Sequence, residues 1–328
     1  MLDKAASIAS VLSVIVATFA IIISGFLLRA ERNHRFSERG RTDADRYAKA
    51  VATLQDPSRA ARLGGIYSLE ALANGNPSYR DSCIDVMCAY LRIPHDPAGA
   101  GESLITADDE RLIREEEAVR SAIVRSISSH LRPHVERDWQ GRTFDLTGAT
   151  LTIADFAGIE LRHGTRLVLR NARFPGGRVD FSATALLDGQ VDFAGASFSG
   201  GRVAFDGSSL HRGKLDFSAA TFAGGTVGFA GVKFNGAEVS FRQASFAGGL
   251  IDFGAAIIES SDVDFADANF AGSRLTFDSA RFAGGSVRFS GASFAGGRID
   301  FSGADLLVAP SFDTAPSDYV TGLPASDG

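Results

Sequence analysis

The chain has 328 residues, a formal net charge of −6 and an apolar fraction of 45%. It carries 25 Phe and 36 Gly but only 1 Trp and 2 Met, a bias that points to a repeated template rather than an ordinary mixed core. Residues 29–141 hold 17 Lys/Arg against 18 Asp/Glu and residues 142–306 hold 15 against 17, which excludes both a basic nucleic-acid binder and a strongly acidic polyanion.

Residues 1–4 precede Ala5 to Leu28, a run of 24 uncharged, mostly apolar residues. As a helix this run spans roughly 36 Å, enough for a hydrocarbon core of about 30 Å. A cleaved leader would have an apolar region of about 7–15 residues before a small-residue cleavage site. Here the run is longer and ends abruptly at Arg29 and Arg32, so residues 5–28 are expected to be a transmembrane helix whose partner is the lipid bilayer. Only Lys4 lies upstream, whereas Arg29, Arg32, Arg35, Arg39 and Arg41 fill the basic juxtamembrane linker 29–41. That asymmetry predicts a single-pass cell-membrane protein with a short N-terminus outside and its body in the cytoplasm. Ala9, Ser13 and Ala17 lie four apart, a small-residue stripe compatible with a homo-oligomer.

Residues 42–137 are expected to form a helical segment. Tyr47, Val51 and Leu54 have helical spacing, and Asp56-Pro57-Ser58 breaks the chain after them. A second helix is predicted from about Ser58 to Ala73 through Leu63, Ile66, Tyr67, Leu69 and Leu72. Asn74-Gly75-Asn76-Pro77 stops it, and a third follows to about Ile93. After a linker at 94–107, Val119, Ile123, Ile127 and Leu131 mark a last helix from about Asp108. Short helices of this kind bury their apolar stripes only by packing as a small bundle or a helical-repeat fragment. Cys83 and Cys88, the only cysteines, would point to different faces of the third helix, which argues against a disulfide and fits a reducing compartment. His130 and His134 could lie on one face, but Pro133 interrupts the helix and no further ligand stands nearby, so the pair reads as surface histidines. Glu115, Glu116 and Glu117 read as a solvated face near the helix start.

From residue 142 to 308 the sequence is periodic. Phe181, Phe193, Phe205, Phe217, Phe229, Phe241, Phe253, Phe265, Phe277, Phe289 and Phe301 recur every 12 residues. The apolar residue five places on alternates between two classes. In one, Phe174, Phe198, Phe222, Phe246, Phe270 and Phe294 each follow Ala by two and precede Gly by two. In the other, Leu186, Leu210, Phe234, Ile258, Phe282 and Leu306 have variable neighbours. The true period is therefore 24, and equivalent residues stack between coils of a solenoid, six to seven of them between Leu146 and Leu306. A 24-residue coil also stacks only Asp192 on Asp216, where a 12-residue coil would stack further aspartates within the run. Residues 309–328, rich in Pro, Ser, Asp and Gly, are expected to be a disordered tail, with Leu307 and Val308 helping to cap the last coil.

Upstream, Leu146, Leu151, Phe156 and Leu161 are spaced by five in LTGATLTIADFAGIEL, with Ala149 and Ala154 two places before the second and third. This stretch resembles the pentapeptide-repeat family, and YAKAVATL, RLGGIYSLEAL and CAYLR resemble the helical region that precedes the repeats in its bacterial membrane-anchored members. The resemblance covers about residues 42–306 and implies a right-handed, four-sided β-helix. The Phe dominance and the 24-residue unit depart from the family's 20-residue coil.

The expected fold is thus α + β: one transmembrane helix, a small helical bundle, then a β-solenoid. The expected function is a membrane-anchored scaffold or protein-interaction module that holds an unidentified protein partner, binds no nucleic acid and has no catalytic activity. No catalytic, cofactor-binding or metal-ligating residue is assigned and no cofactor is expected. The resemblance raises an alternative, DNA mimicry that modulates a topoisomerase, but the repeat's near-neutral charge disfavours it. A carbohydrate-active β-helix enzyme would need clustered acids and long inserted loops. The repeat has no insertion between Phe181 and Phe301, and its only histidines are His163 and His211.

Overall fold

A computed structural model describes residues 38–95, 107–313 and 318–323. The expected membrane span at 5–28 lies outside these residues; among them, no helix is long and apolar enough to cross a bilayer. The chain divides into two compact units, Met1–Ile93 and Pro94–Gly328, each described by itself.

Among its described residues the first unit contains three helices, α1 (Glu38–Thr53), α2 (Arg59–Gly75) and α3 (Pro77–Arg92). Tyr47 and Val51 from α1, Leu54 in the turn after it, Ile66, Leu69 and Leu72 from α2, and Ile84, Met87 and Leu91 from α3 are all buried. The α1–α2 crossing is close because Gly65 has no side chain: a Cβ there would lie 2.9 Å from the Ala50 carbonyl oxygen. The break after α2 follows from Asn76, whose side-chain oxygen accepts the Ser78 N–H at 3.0 Å, and from Pro77 at the first helical position of α3. Cys83 and Cys88 are both buried, and neither is in a disulfide. Tyr67, expected on the apolar stripe of α2, is instead 52% exposed.

The second unit is a β-solenoid of about seven turns built from four parallel sheets of 7, 6, 8 and 7 described strands. One coil passes through sheet A (Gln190–Asp192), sheet B (Ser197–Phe198), sheet C (Arg202–Ala204) and sheet D (Ser209–His211). Val191 pairs with Leu215, Phe198 with Phe222, Val203 with Val227 and Leu210 with Phe234, each one 24-residue coil on. The beat of 12 is therefore half a turn.

Three columns of Phe fill the lumen. Phe193, Phe217 and Phe241 stack at 4.7 and 4.9 Å; Phe181 and Phe205 stack at 4.9 Å; Phe198 and Phe222 stack at 4.9 Å. These separations match the spacing of hydrogen-bonded strands, so each ring covers the one below. The first two columns meet edge-to-face, as between Phe193 and Phe205 at 86°, the quadrupole-favoured arrangement.

The strict glycines answer to the neighbouring coil. A Cβ on Gly224 would lie 2.8 Å from the Ser199 carbonyl oxygen, and one on Gly201, whose φ is +69°, would overlap the Gly177 carbonyl oxygen. The corners at Ala219, Gln243 and Asp267 are also left-handed (φ 56°, 58° and 58°) yet carry side chains, because they point into solvent.

A fourth helix, α4 (Ala107–Leu131), was expected to belong to the helical segment but packs on the first coil. That coil departs from the rest: Phe144 pairs with Leu167, 23 residues on, and Ala154 with Val179, 25 on. Its five-residue spacing from Leu146 to Leu161 omits the Gly-Gly corner found in later coils. The far end is also longer than the sequence implied. Within the expected disordered tail, Phe312 stacks on Phe289 at 4.6 Å, and Val320–Thr321 pairs with Ile299–Asp300. Phe312 lies 11 rather than 12 residues after Phe301, which puts it off the beat. Leu307 and Val308 are 63% and 39% exposed, so they bury little at this end.

Candidate functional site

The solenoid's recurrent polar side chains are the aspartates that end its strands. Asp180, Asp192, Asp216, Asp252, Asp264 and Asp300 each accept the backbone N–H two residues on, at 2.8–3.0 Å, bracing the left-handed corner that follows. Where the strand-end residue is Gly228, Asp206 from the coil below takes the Ala230 N–H instead. Ser302 donates to the Asp300 carboxylate, with Thr321 and Arg274 adding further bonds, and together they hold its pKa down to about 2. Burial alone would raise Asp180, but the bonds from Ser182 and Arg178 outweigh it and leave the group below the usual carboxylate range.

Outward charges are paired mainly between coils. Arg170 meets Asp192 at 2.6 Å, Lys214 meets Glu238 at 3.1 Å, Arg242 meets Asp264 at 3.0 Å, and Arg274 meets Asp300 at 3.0 Å. Asp192 does stack on Asp216, and the cations Arg170 and Lys214 offset the repulsion. Asp155 stacks on Asp180 as well; its neighbours Arg132 and Arg178 supply the positive charge. Sheet B differs from the other three: after Arg173 its outward column Ser197, Thr221, Ser245, Asn269 and Ser293 is uncharged.

Helix α4 closes the start of the solenoid. Ser128 Oγ donates to the Asp155 carbonyl at 2.6 Å and Arg120 Nη2 to the Thr150 carbonyl at 3.1 Å. Thr152 Oγ1 donates to Glu117 at 3.2 Å, so this glutamate is part of the cap and not only a solvated face. Of the two expected surface histidines, His134 is exposed, whereas His130 is buried and stacks on Trp139 at 4.0 Å. Trp139, absent from the periodic pattern, in turn covers Phe144 at the lumen's start.

In the first unit, burial pushes the Cys83 thiol up to about 12, so it is a protonated core group and no nucleophile. The feature that sequence reasoning missed lies between α1 and α2. An open groove of about 880 Å³ runs there, lined by Arg46, Lys49 and Thr53 on one side and Gly64, Ser68 and Ala71 on the other. The 3–4 recurrence of Ala61, Gly64, Ser68, Ala71 and Gly75 was the available signal.

Among the described residues, no group of three or more His, Cys, Asp or Glu side chains is arranged to hold a metal ion. No protein-family model matches the chain, and no curated protein and no solved structure matches it either.

Proposed function

We propose that the protein is a scaffold of pentapeptide-repeat type, held at the inner face of the cell membrane by residues 5–28, that acts by binding another protein and performs no chemistry. The observation that carries this reading is the employment of the strand-end aspartates. The solenoid's only recurrent carboxylates are turn caps or inter-coil ion pairs, so they are already committed to holding the rod together. A regular aromatic core gives a stiff platform, and the exposed chemistry that differs from place to place lies in the uncharged stretch of sheet B from Ser197 to Ser293 and in the α1–α2 groove. Mimicry of duplex DNA is not favoured, because the acids alternate with arginines that they contact.

Amine crosslinking in native cells followed by mass spectrometry tests the proposal. The full chain is expected to yield one or a few reproducible protein partners from the membrane fraction. Recovery of the chain without any crosslinked partner would sink the reading.

A further inference from the structure

The α1–α2 groove has three properties that together describe an occupant. First, its α2 side is small and uncharged: Ala61, Gly64, Ser68, Ala71 and Gly75 recur at alternating steps of three and four. A Cβ built on Gly64 meets no atom within 4 Å, so the helix backbone itself is open to close approach. Tyr67 lies on the same helix and is 52% exposed among the described residues, an aromatic ring half open to a partner. Second, the feature is long. Its lining extends from Thr42 to Thr53 on α1 and from Ala61 to Asn76 on α2, three to four turns of helix on each side.

Third, the α1 side is cationic. Arg46 and Lys49 line it against one acid, Asp43; Arg46 pairs with that carboxylate at 3.4 Å and Asn76 Nδ2 donates to it at 3.0 Å, which leaves Lys49 as the net positive charge of the lining. The Lys49 ammonium has no ion pair among the described residues. Both sides repeat with helical period, so an extended strand would meet them out of register, whereas a third helix lying along the groove would meet them in register. The small floor admits an apolar stripe at short interaxial distance, and the positive side selects acid next to that stripe.

We propose that the α1–α2 groove is the docking site for an amphipathic helix of a partner protein, apolar along one stripe and acidic along its flank. The proposal rests on the reading of the protein as a binding scaffold and assigns that reading a site and a partner chemistry.

The test uses the full chain in detergent and two fluorescein-labelled helical peptides of about 20 residues, long enough to be helical alone. One carries Leu and Ala along a stripe with Glu on both flanks; its twin has Lys in place of every Glu. Fluorescence anisotropy is expected to show saturable binding of the Glu peptide and binding weaker by about tenfold or more for the Lys peptide. Gly64→Leu fills the floor from a position with open space around it, and is expected to abolish binding while the circular dichroism spectrum stays unchanged and the melting temperature holds or rises, since leucine favours the helix. Lys49→Glu is expected to invert the preference between the peptides. Equal affinity for both peptides, no binding of the Glu peptide, or indifference to Gly64→Leu would each overturn the proposal. A dimer seen by sedimentation that Gly64→Leu dissociates would overturn it too, by placing a second copy in the groove. Partners crosslinked in cells to Lys214 or Lys233 of the solenoid, with no peptide bound, would remove the groove and leave the scaffold reading standing.

Discussion

On the solenoid, most paired outward charges lie against partners one coil away, as in Arg242 with Asp264, and inward rings lie against rings above and below, as in Phe217 between Phe193 and Phe241. The helical unit leaves more undone: among the described residues Lys49 has no ion pair, Tyr67 is half exposed, and a Cβ on Gly64 would meet no atom within 4 Å. A repeat satisfies each unit with its neighbours, so it is rigid and complete in itself. A groove between two helices is complete only when a third element lies in it.

That contrast can be broken at graded cost. The largest effect is expected from Phe217→Ala, which removes a fully buried ring stacked on two others and edge-on to Phe205 and Phe229. Urea unfolding should show a loss of about 3–5 kcal/mol, whereas Tyr67→Ala in the helical unit should stay within about 0.5 kcal/mol of the parent. An equal loss at both positions would erase the distinction between the two units.

Next comes Gly201→Ala. Its new Cβ would overlap the Gly177 carbonyl at a positive φ, with an expected cost of about 1–3 kcal/mol by the same measurement. Ala219→Gly, at an exposed left-handed corner, should be neutral or stabilise by up to about 1 kcal/mol.

Acid gives a smaller and more local effect. The folded-state pKa of Asp300, about 2, lies below the unfolded value of about 4. Its ionised form therefore stabilises the fold above about pH 4, and that contribution is lost as the pH falls through the folded value. Hydrogen exchange in the strand Val320–Thr321, which pairs with Ile299–Asp300, should accelerate over this window, and Asp300→Asn should flatten the dependence. Among the solenoid substitutions a small effect is also expected from Lys214→Ala, which removes part-exposed ion pairs with Glu238 and Asp216 and should shift the unfolding free energy by less than about 1 kcal/mol.

The solenoid was legible because stacking forces one residue type to recur. Alternation of the strict Phe198 class with the looser Leu210 class was enough to separate a 24-residue coil from a 12-residue one. Its ends were not legible for the same reason: contacts there are unique. Trp139 stacks on His130 from outside the pattern, α4 supplies its cap through Ser128 and Arg120, and Phe312 joins the column one residue early. The glycine columns were visible, but their cause, carbonyl oxygens of the coil below, depends on coil-to-coil distance. The groove was not legible because small residues on a helix carry no apolar signal, whereas Ile66, Leu69 and Leu72 mark only the buried side of α2.

The account's central claim is that this protein acts by binding, and does so through its helical groove. Of the four lysines in the chain, Lys49 lines the groove and Lys214 and Lys233 lie on the solenoid. Site-resolved amine crosslinking in native cells, run on the parent chain and on Gly64→Leu, reads the claim directly. The account predicts partner crosslinks at Lys49 that Gly64→Leu removes; partner crosslinks confined to Lys214 and Lys233, unchanged by that substitution, would contradict it.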